Sequence, residues 1–193
     1  MTNLFARQRI NKDLKTITSQ FKDAYRISCD SSRNAYMKTL APGSPVPKEG
    51  IIYGDDYRRE FESMCAGYQD RAQAILNDAL EDLVKIETEA PSTEAVNSIT
   101  LLKMRDNVTE KEIDNLLTRY GDNPQAWRAL VSIAKDHKIR TFPDHPVYTE
   151  IENIENLGAN IEKTLTLRSA EQGHAEGYIS FLDAMIDGAF PTE

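Results

Sequence analysis

From Asp55 to about Glu89 the chain contains no proline, and its apolar residues Tyr57, Phe61, Met64, Tyr68, Ala72, Ile75, Ala79, Leu83 and Ile86 recur at a mean step of about 3.6. That interval is the period of a straight α-helix in a globular bundle, not the 3.5 of an extended supercoil. A helix over 55–89 would be roughly 50 Å long. Cys65, Leu76, Leu80 and Val84 add a second flank that widens the apolar stripe. A single neighbouring helix would not cover a stripe of that width.

The rest of the chain reads as helix too. Ile10, Leu14, Ile17, Phe21 and Ala24 or Tyr25 form an amphipathic stripe with Arg7, Arg9, Lys12, Lys15, Lys22 and Arg26 among them. Ser28-Cys-Asp-Ser-Ser32 is expected to kink or end that helix, since Ser and Asp side chains compete for backbone hydrogen bonds. Helix is expected to stop by Leu40. The stretch 41–54 then holds three prolines and three glycines, and forms a long loop of about a dozen residues. It is either a binding element or a connector that reverses the chain, and the connector is the plainer account.

Ala90-Pro-Ser-Thr93 breaks the long helix and starts one that carries Val96, Ile99, Leu101, Leu102 and Met104. Thr109 and Glu112 are spaced as a capping box ahead of Ile113, Leu116, Leu117 and Tyr120. Gly121-Asp-Asn-Pro124 supplies a terminating glycine, a cap and a first-turn proline for a helix through Trp127, Leu130, Val131 and Ile133. Residues 92–138 thus read as three short helices around Trp127. Pro143 and Pro146 make another break, followed by a stripe of Ile151, Ile154, Leu157 or Gly158, Ile161 and Leu165, and then by Tyr178, Phe181, Leu182, Met185 and Ile186.

The expected fold is all-α: a multi-helix bundle around one long central helix at about 55–89, with a compact three-helix subdomain at about 92–138. Residues 1–89 form a helical hairpin closed by the loop 41–54. Residues 90–140 are the subdomain, and the acidic helices of 141–193 pack in the same bundle.

Charge divides along the chain. Residues 1–40 carry net +5 and the remainder −13, within a total of −8; residues 144–193 alone carry −8. The acidic end should repel nucleic acid and attract basic partners. The basic first helix admits two accounts: it lies along phosphates, or it packs on the bundle and pairs with the acidic body. The second is preferred, because an acidic chain is a poor dedicated DNA binder. No apolar run approaches the roughly 20 residues that cross a bilayer. The start has no signal core, and the chain is expected to be soluble, in the cytoplasm or in a virion. Cys29 and Cys65 lack a CxxC partner and are expected to be reduced, partly buried thiols.

No catalytic arrangement emerges. Glu171 and His174 form an ExxH, but a di-iron bundle needs a second such pair and two further glutamates. His137, His145 and His174 with Asp136, Asp144 or Glu176 are the only zinc set available, and exposed loop histidines are the plainer account. Phosphate-cradling and nucleophile motifs are absent. The expectation is therefore no enzyme activity, no cofactor and no metal. The side chains chosen for partner contacts are Arg7, Lys12 and Lys15 at the basic end, and Glu150, Glu152, Glu155 and Glu162 at the acidic end.

Ser92-Thr-Glu-Ala-Val96 through Trp127-Arg-Ala-Leu-Val-Ser-Ile-Ala-Lys-Asp-His-Lys-Ile139, with the turn Tyr120-Gly-Asp-Asn-Pro-Gln-Ala-Trp127, resembles small acidic helical proteins of tailed phages and prophages of Gram-positive bacteria. The resemblance covers about a quarter of the chain. It implies a protein that serves particle assembly or blocks host machinery, with protein partners that include itself or particle components, and it brings no catalytic residues. Two functions follow: a structural or assembly factor, or an inhibitor whose carboxylates occupy a nucleic-acid-binding groove by charge mimicry.

Overall fold

A computed structural model describes residues 4–166 and 175–191. Its regular structure is all-helical. The described helices are α1 (Leu4–Met37), α2 (Asp55–Glu87), α3 (Thr93–Lys103), α4 (Glu110–Tyr120), α5 (Pro124–Asp136), α6 (Pro146–Thr164) and α7 (Ala175–Ala189). The chain divides into two compact units, one of Ala79–Glu152 and one of Thr2–Asp78 with Asn153–Glu193. The dividing lines fall inside α2 and α6.

In the unit formed by 2–78 and 153–193, α1 buries Leu14, Ile17, Phe21, Tyr25 and Cys29, one residue every three or four positions. Phe61 of α2 meets Phe21 and Tyr25, with ring centroids 5.8 and 6.1 Å apart. Ile154, Leu157, Ile161 and Leu165 extend the core from α6, and Ile179, Leu182 and Ile186 from α7. Gln73 of α2 donates to the carbonyl of Gly158 at 3.1 Å. A Cβ on Gly158 would lie 3.5 Å from Leu76, an ordinary van der Waals contact, so this position places α6 directly against α2. Of the expected second flank, Cys65 and Leu76 are buried, Leu80 is half-buried and Val84 is exposed.

α1 does not kink or end at Ser28–Ser32; it continues to Met37. The polar side chain that most threatens the helix there is absorbed: Ser32 is buried, donates to the Cys29 carbonyl at 3.0 Å and accepts from the Tyr53 amide at 3.2 Å. A serine hydroxyl with partners on both sides no longer competes with the helical ladder.

The loop 41–54 packs along the same stretch of α1. Arg33 donates to the Pro47 carbonyl and pairs with Glu49, both at 3.1 Å. Tyr25 donates to the Gly50 carbonyl at 2.8 Å, Tyr36 stacks on Tyr53, and Ile52 is fully buried. Gly50 sits at φ +71°, in the left-handed region that favours glycine. These anchors make the loop a tethered connector.

In the unit formed by 79–152, α3, α4 and α5 enclose Leu102, Ile113, Leu130, Ile133, Ala134 and Phe142. Trp127 is not the centre of this core. It is only partly buried, donates from Nε1 to the Pro143 carbonyl at 3.1 Å and meets the His145 ring edge-on. Its indole N–H needs an acceptor, which a fully apolar centre would not offer. The helix ends follow the expected signals. The Thr109 amide and hydroxyl both donate to Glu112 Oε2, and Asn123 accepts from the Ala126 amide with Pro124 in the first turn. Gly121 closes α4 with right-handed φ, so its requirement is room: an added Cβ would overlap the Leu117 carbonyl oxygen and press on Trp127.

Lys138 follows α5 at φ 55°, the only described residue other than glycine with positive φ, and the Ile139 amide returns to the Ala134 carbonyl at 2.9 Å. This is a left-handed helix end, where glycine carries no steric penalty. Lys138→Gly is expected to stabilise the protein by about 1 kcal/mol, measured by urea denaturation; an unchanged or lower midpoint would contradict it.

Candidate interaction surfaces

Of the basic residues of α1, Lys15 meets an acidic helix of its own unit. Lys15 pairs with Asp187 of α7 at 2.7 Å, and Asn11 donates to Asp187 at 3.0 Å and to the Phe190 carbonyl at 2.9 Å. One turn back on α7, Asp183 accepts from Thr18 at 2.8 Å. Asn11 and Thr18 are buried, so these bonds satisfy polar atoms that would otherwise be costly. Donation from Asn11 and then from Lys15 holds the Asp187 carboxyl below its usual range. Asp183 and Asp187 were not among the residues chosen from the sequence, although their spacing of four on one helix face, opposite a basic helix, was the available signal.

Among the other chosen residues, Arg7 and Glu150 are half-buried, and Lys12, Glu152, Glu155 and Glu162 are exposed. Glu162 accepts from Gln73 at 3.4 Å.

The chemistry-bearing side chains are occupied structurally. His145 is buried, and its Nδ1 accepts from the Val147 amide at 3.2 Å. Burial pushes its pKa below the ordinary value, so the ring is neutral and serves as a packing group. Among the described residues, no three His, Cys, Asp or Glu side chains gather in a metal-ligating cluster. The ExxH of Glu171 and His174 lies outside the described residues, as does the His174 member of the zinc set. Cys29 and Cys65 are free and buried, and burial raises their thiols to about 11 and about 12. Such thiols are poor nucleophiles.

A hollow of about 480 Å³ lies between Trp127, Leu117 and Phe142. Its one cation, Arg140, contacts both Glu110 and Asp114 and stacks on Phe142, so it is not poised to receive an anion. No helix among the described residues is long and apolar enough to cross a membrane.

The least expected surface is on α3. Ala95 and Leu102 point into the core, while Val96, Leu101 and Met104 are 47%, 67% and 76% exposed. A helix rotates about 100° per residue. Thr93, Asn97, Thr100 and Met104 therefore run along the middle of the outward face, with Val96 and Leu101 at its two edges. No charge falls on that face over three turns; Glu94 and Lys103 lie beyond its margins. Leu101 also borders a groove of about 290 Å³ toward α4, walled by Leu102 and Leu116. Arg105 and Glu112, which also line that groove, pair with each other, and nearer the start of α3 Glu94 pairs with Arg119 of α4.

Bonds from the Thr109 amide and hydroxyl, aided by Arg105, hold the Glu112 carboxyl down to about 2, from an ordinary 4.5. The stability that this contact lends is complete above pH 4.5 and is lost as pH falls toward 2. Glu112→Gln keeps the capping geometry but cannot titrate. Thermal melts from pH 6 to pH 2 should accordingly fall less steeply for the variant; parallel curves would refute the assignment.

Compared with known proteins, the chain matches no family model, no curated protein and no solved structure.

Proposed function

We propose that this protein acts by binding other proteins, without catalysis, as a structural or assembly factor of a tailed phage or prophage particle. The observation that supports this reading best is the uncharged outward face of α3 with Val96, Leu101 and Met104 exposed together. Three large apolar side chains left exposed on one three-turn face that carries no charge favour a site of macromolecular contact there. The phage setting comes from the resemblance of residues 92–139 to small helical phage proteins. In this reading the protein works in the host cytoplasm or in the virion.

A second reading, an acidic inhibitor that occupies a nucleic-acid-binding groove, is favoured by the exposed Glu152, Glu155 and Glu162 of α6. Nucleic-acid contact through the basic helix is the weakest alternative, since Lys15 is engaged with Asp187.

Capture of the tagged protein from its native cells, at low and then moderate salt, separates the first two. Apolar contacts persist as salt rises, whereas charge mimicry is screened. Recovery of itself and of particle components at both salt levels supports the assembly reading. A single basic enzyme released by moderate salt would overturn it in favour of the inhibitor.

A further inference from the structure

We infer that the outward face of α3 is a self-docking surface, covered by α3 of a second copy of this chain running antiparallel across a twofold axis. The inference deepens the assembly reading and rests on it. A twofold contact requires a patch complementary to itself, each residue i meeting j while j meets i. The charges at the margin of the α3 face have that property.

Glu94 and Arg105 lie at opposite ends of the same edge, the one facing α4, as their pairs with Arg119 and Glu112 show. Both are more than half exposed, at 63% and 54% of the side chain. Leu101 lies between them on that edge. An antiparallel twofold partner sets each edge against its own counterpart, reversed end for end. Glu94 then faces Arg105 of the second copy, and Arg105 faces its Glu94. The twofold passes near Ile99 and Thr100, midway between the charges, so Thr100 stands close to Thr100 of the second copy. Leu101 of one copy overhangs the Leu101, Leu102 and Leu116 groove of the other.

A parallel twofold would instead set this edge against the opposite one, where Val96 and Lys103 lie, and would bring neither Glu94 nor Arg105 against its complement. The helix dipoles reinforce the antiparallel choice, since the positive end of each α3 meets the negative end of the other. The exposed charges set direction, and the exposed Val96, Leu101 and Met104 supply most of the affinity. A three-turn contact lies at the small end of specific interfaces, and association in a range of about 10–100 µM is expected.

The test is sedimentation velocity of the full chain between about 1 and 500 µM, with circular dichroism to establish that each variant is folded. The wild type should pass from monomer to dimer. Leu101→Asp should weaken association by at least tenfold. Glu94→Arg and Arg105→Glu should each do the same alone, and mixing these two variants should restore a dimer, because both cross-pairs then have opposite charges. A wild type that stays monomeric throughout overturns the inference, and native-cell capture then shows separately whether protein binding survives as the function. A dimer that Leu101→Asp and both charge variants leave intact overturns the α3 surface while leaving self-association in place. Failure of the mixed variants to pair, with both folded and monomeric, overturns the antiparallel geometry.

Discussion

Phe61→Ala is expected to cost about 3–5 kcal/mol, the range for deleting a buried aromatic ring. Phe61 is 1% exposed and lies against Phe21 and Tyr25, two rings that α1 brings from one turn apart. Its removal leaves a cavity that the two long helices α1 and α2 cannot readily collapse to fill. A domain of this kind has roughly 5–15 kcal/mol of stability in all, so the variant should lose a large fraction of it. Guanidinium denaturation followed by far-ultraviolet circular dichroism reads the loss. A change below about 1 kcal/mol would mean that α1 and α2 do not share this core.

Leu130→Ala should have a comparable effect in the 79–152 unit, about 2–5 kcal/mol. Leu130 is fully buried on α5 and packs within the cluster formed by Leu102, Ile113, Ile133, Ala134 and Phe142. Hydrogen exchange gives the sharper reading. Amides of α4 and α5 should lose protection in this variant, whereas Phe61→Ala should reduce protection first in α1. Leu101→Ala on the adjacent helix is a useful control, since that side chain faces outward and its truncation should change monomer stability by less than about 0.5 kcal/mol. Equal losses for Leu130→Ala and Leu101→Ala would contradict the assignment of inward and outward faces.

Much of this architecture is legible in the sequence where local chemistry alone decides. The step in α2 places Phe61, Ala72, Ala79 and Leu83 on the buried side because helical periodicity needs no tertiary information. The caps at Thr109 and Asn123 are equally local. What escapes sequence reasoning depends on distant partners. Ser28–Ser32 reads as a helix breaker until Tyr53, 21 positions beyond Ser32, supplies a donor for its hydroxyl. Trp127 reads as a core because it is large, yet its N–H has to reach Pro143. The five apolar residues from Val96 to Met104 read as one core stripe, although a three-turn helix cannot turn all of them inward; only the packing of α4 and α5 shows which side is left out.

The candidate contact residues show the same limit. Charge alone selected Lys15 and the glutamates of α6, but burial and partners decide which charges are committed. Lys15 is tied to Asp187, and two unselected aspartates on α7 form the seam that holds α1. The surface with the strongest claim to a partner is uncharged, and counting charges passes over it.

A second copy on the outward face of α3 brings the two Thr100 residues close together. Thr100→Cys tests it most directly, because Thr100 is exposed near the twofold and both native cysteines are buried with raised pKa values. Treated with a short bis-maleimide at tens of micromolar protein, this variant should form a covalent dimer, while a Thr39→Cys control at the exposed end of α1 should remain a single chain. Equal cross-linking of the two, or none at Thr100→Cys when its thiol is shown to be reactive, would contradict the account.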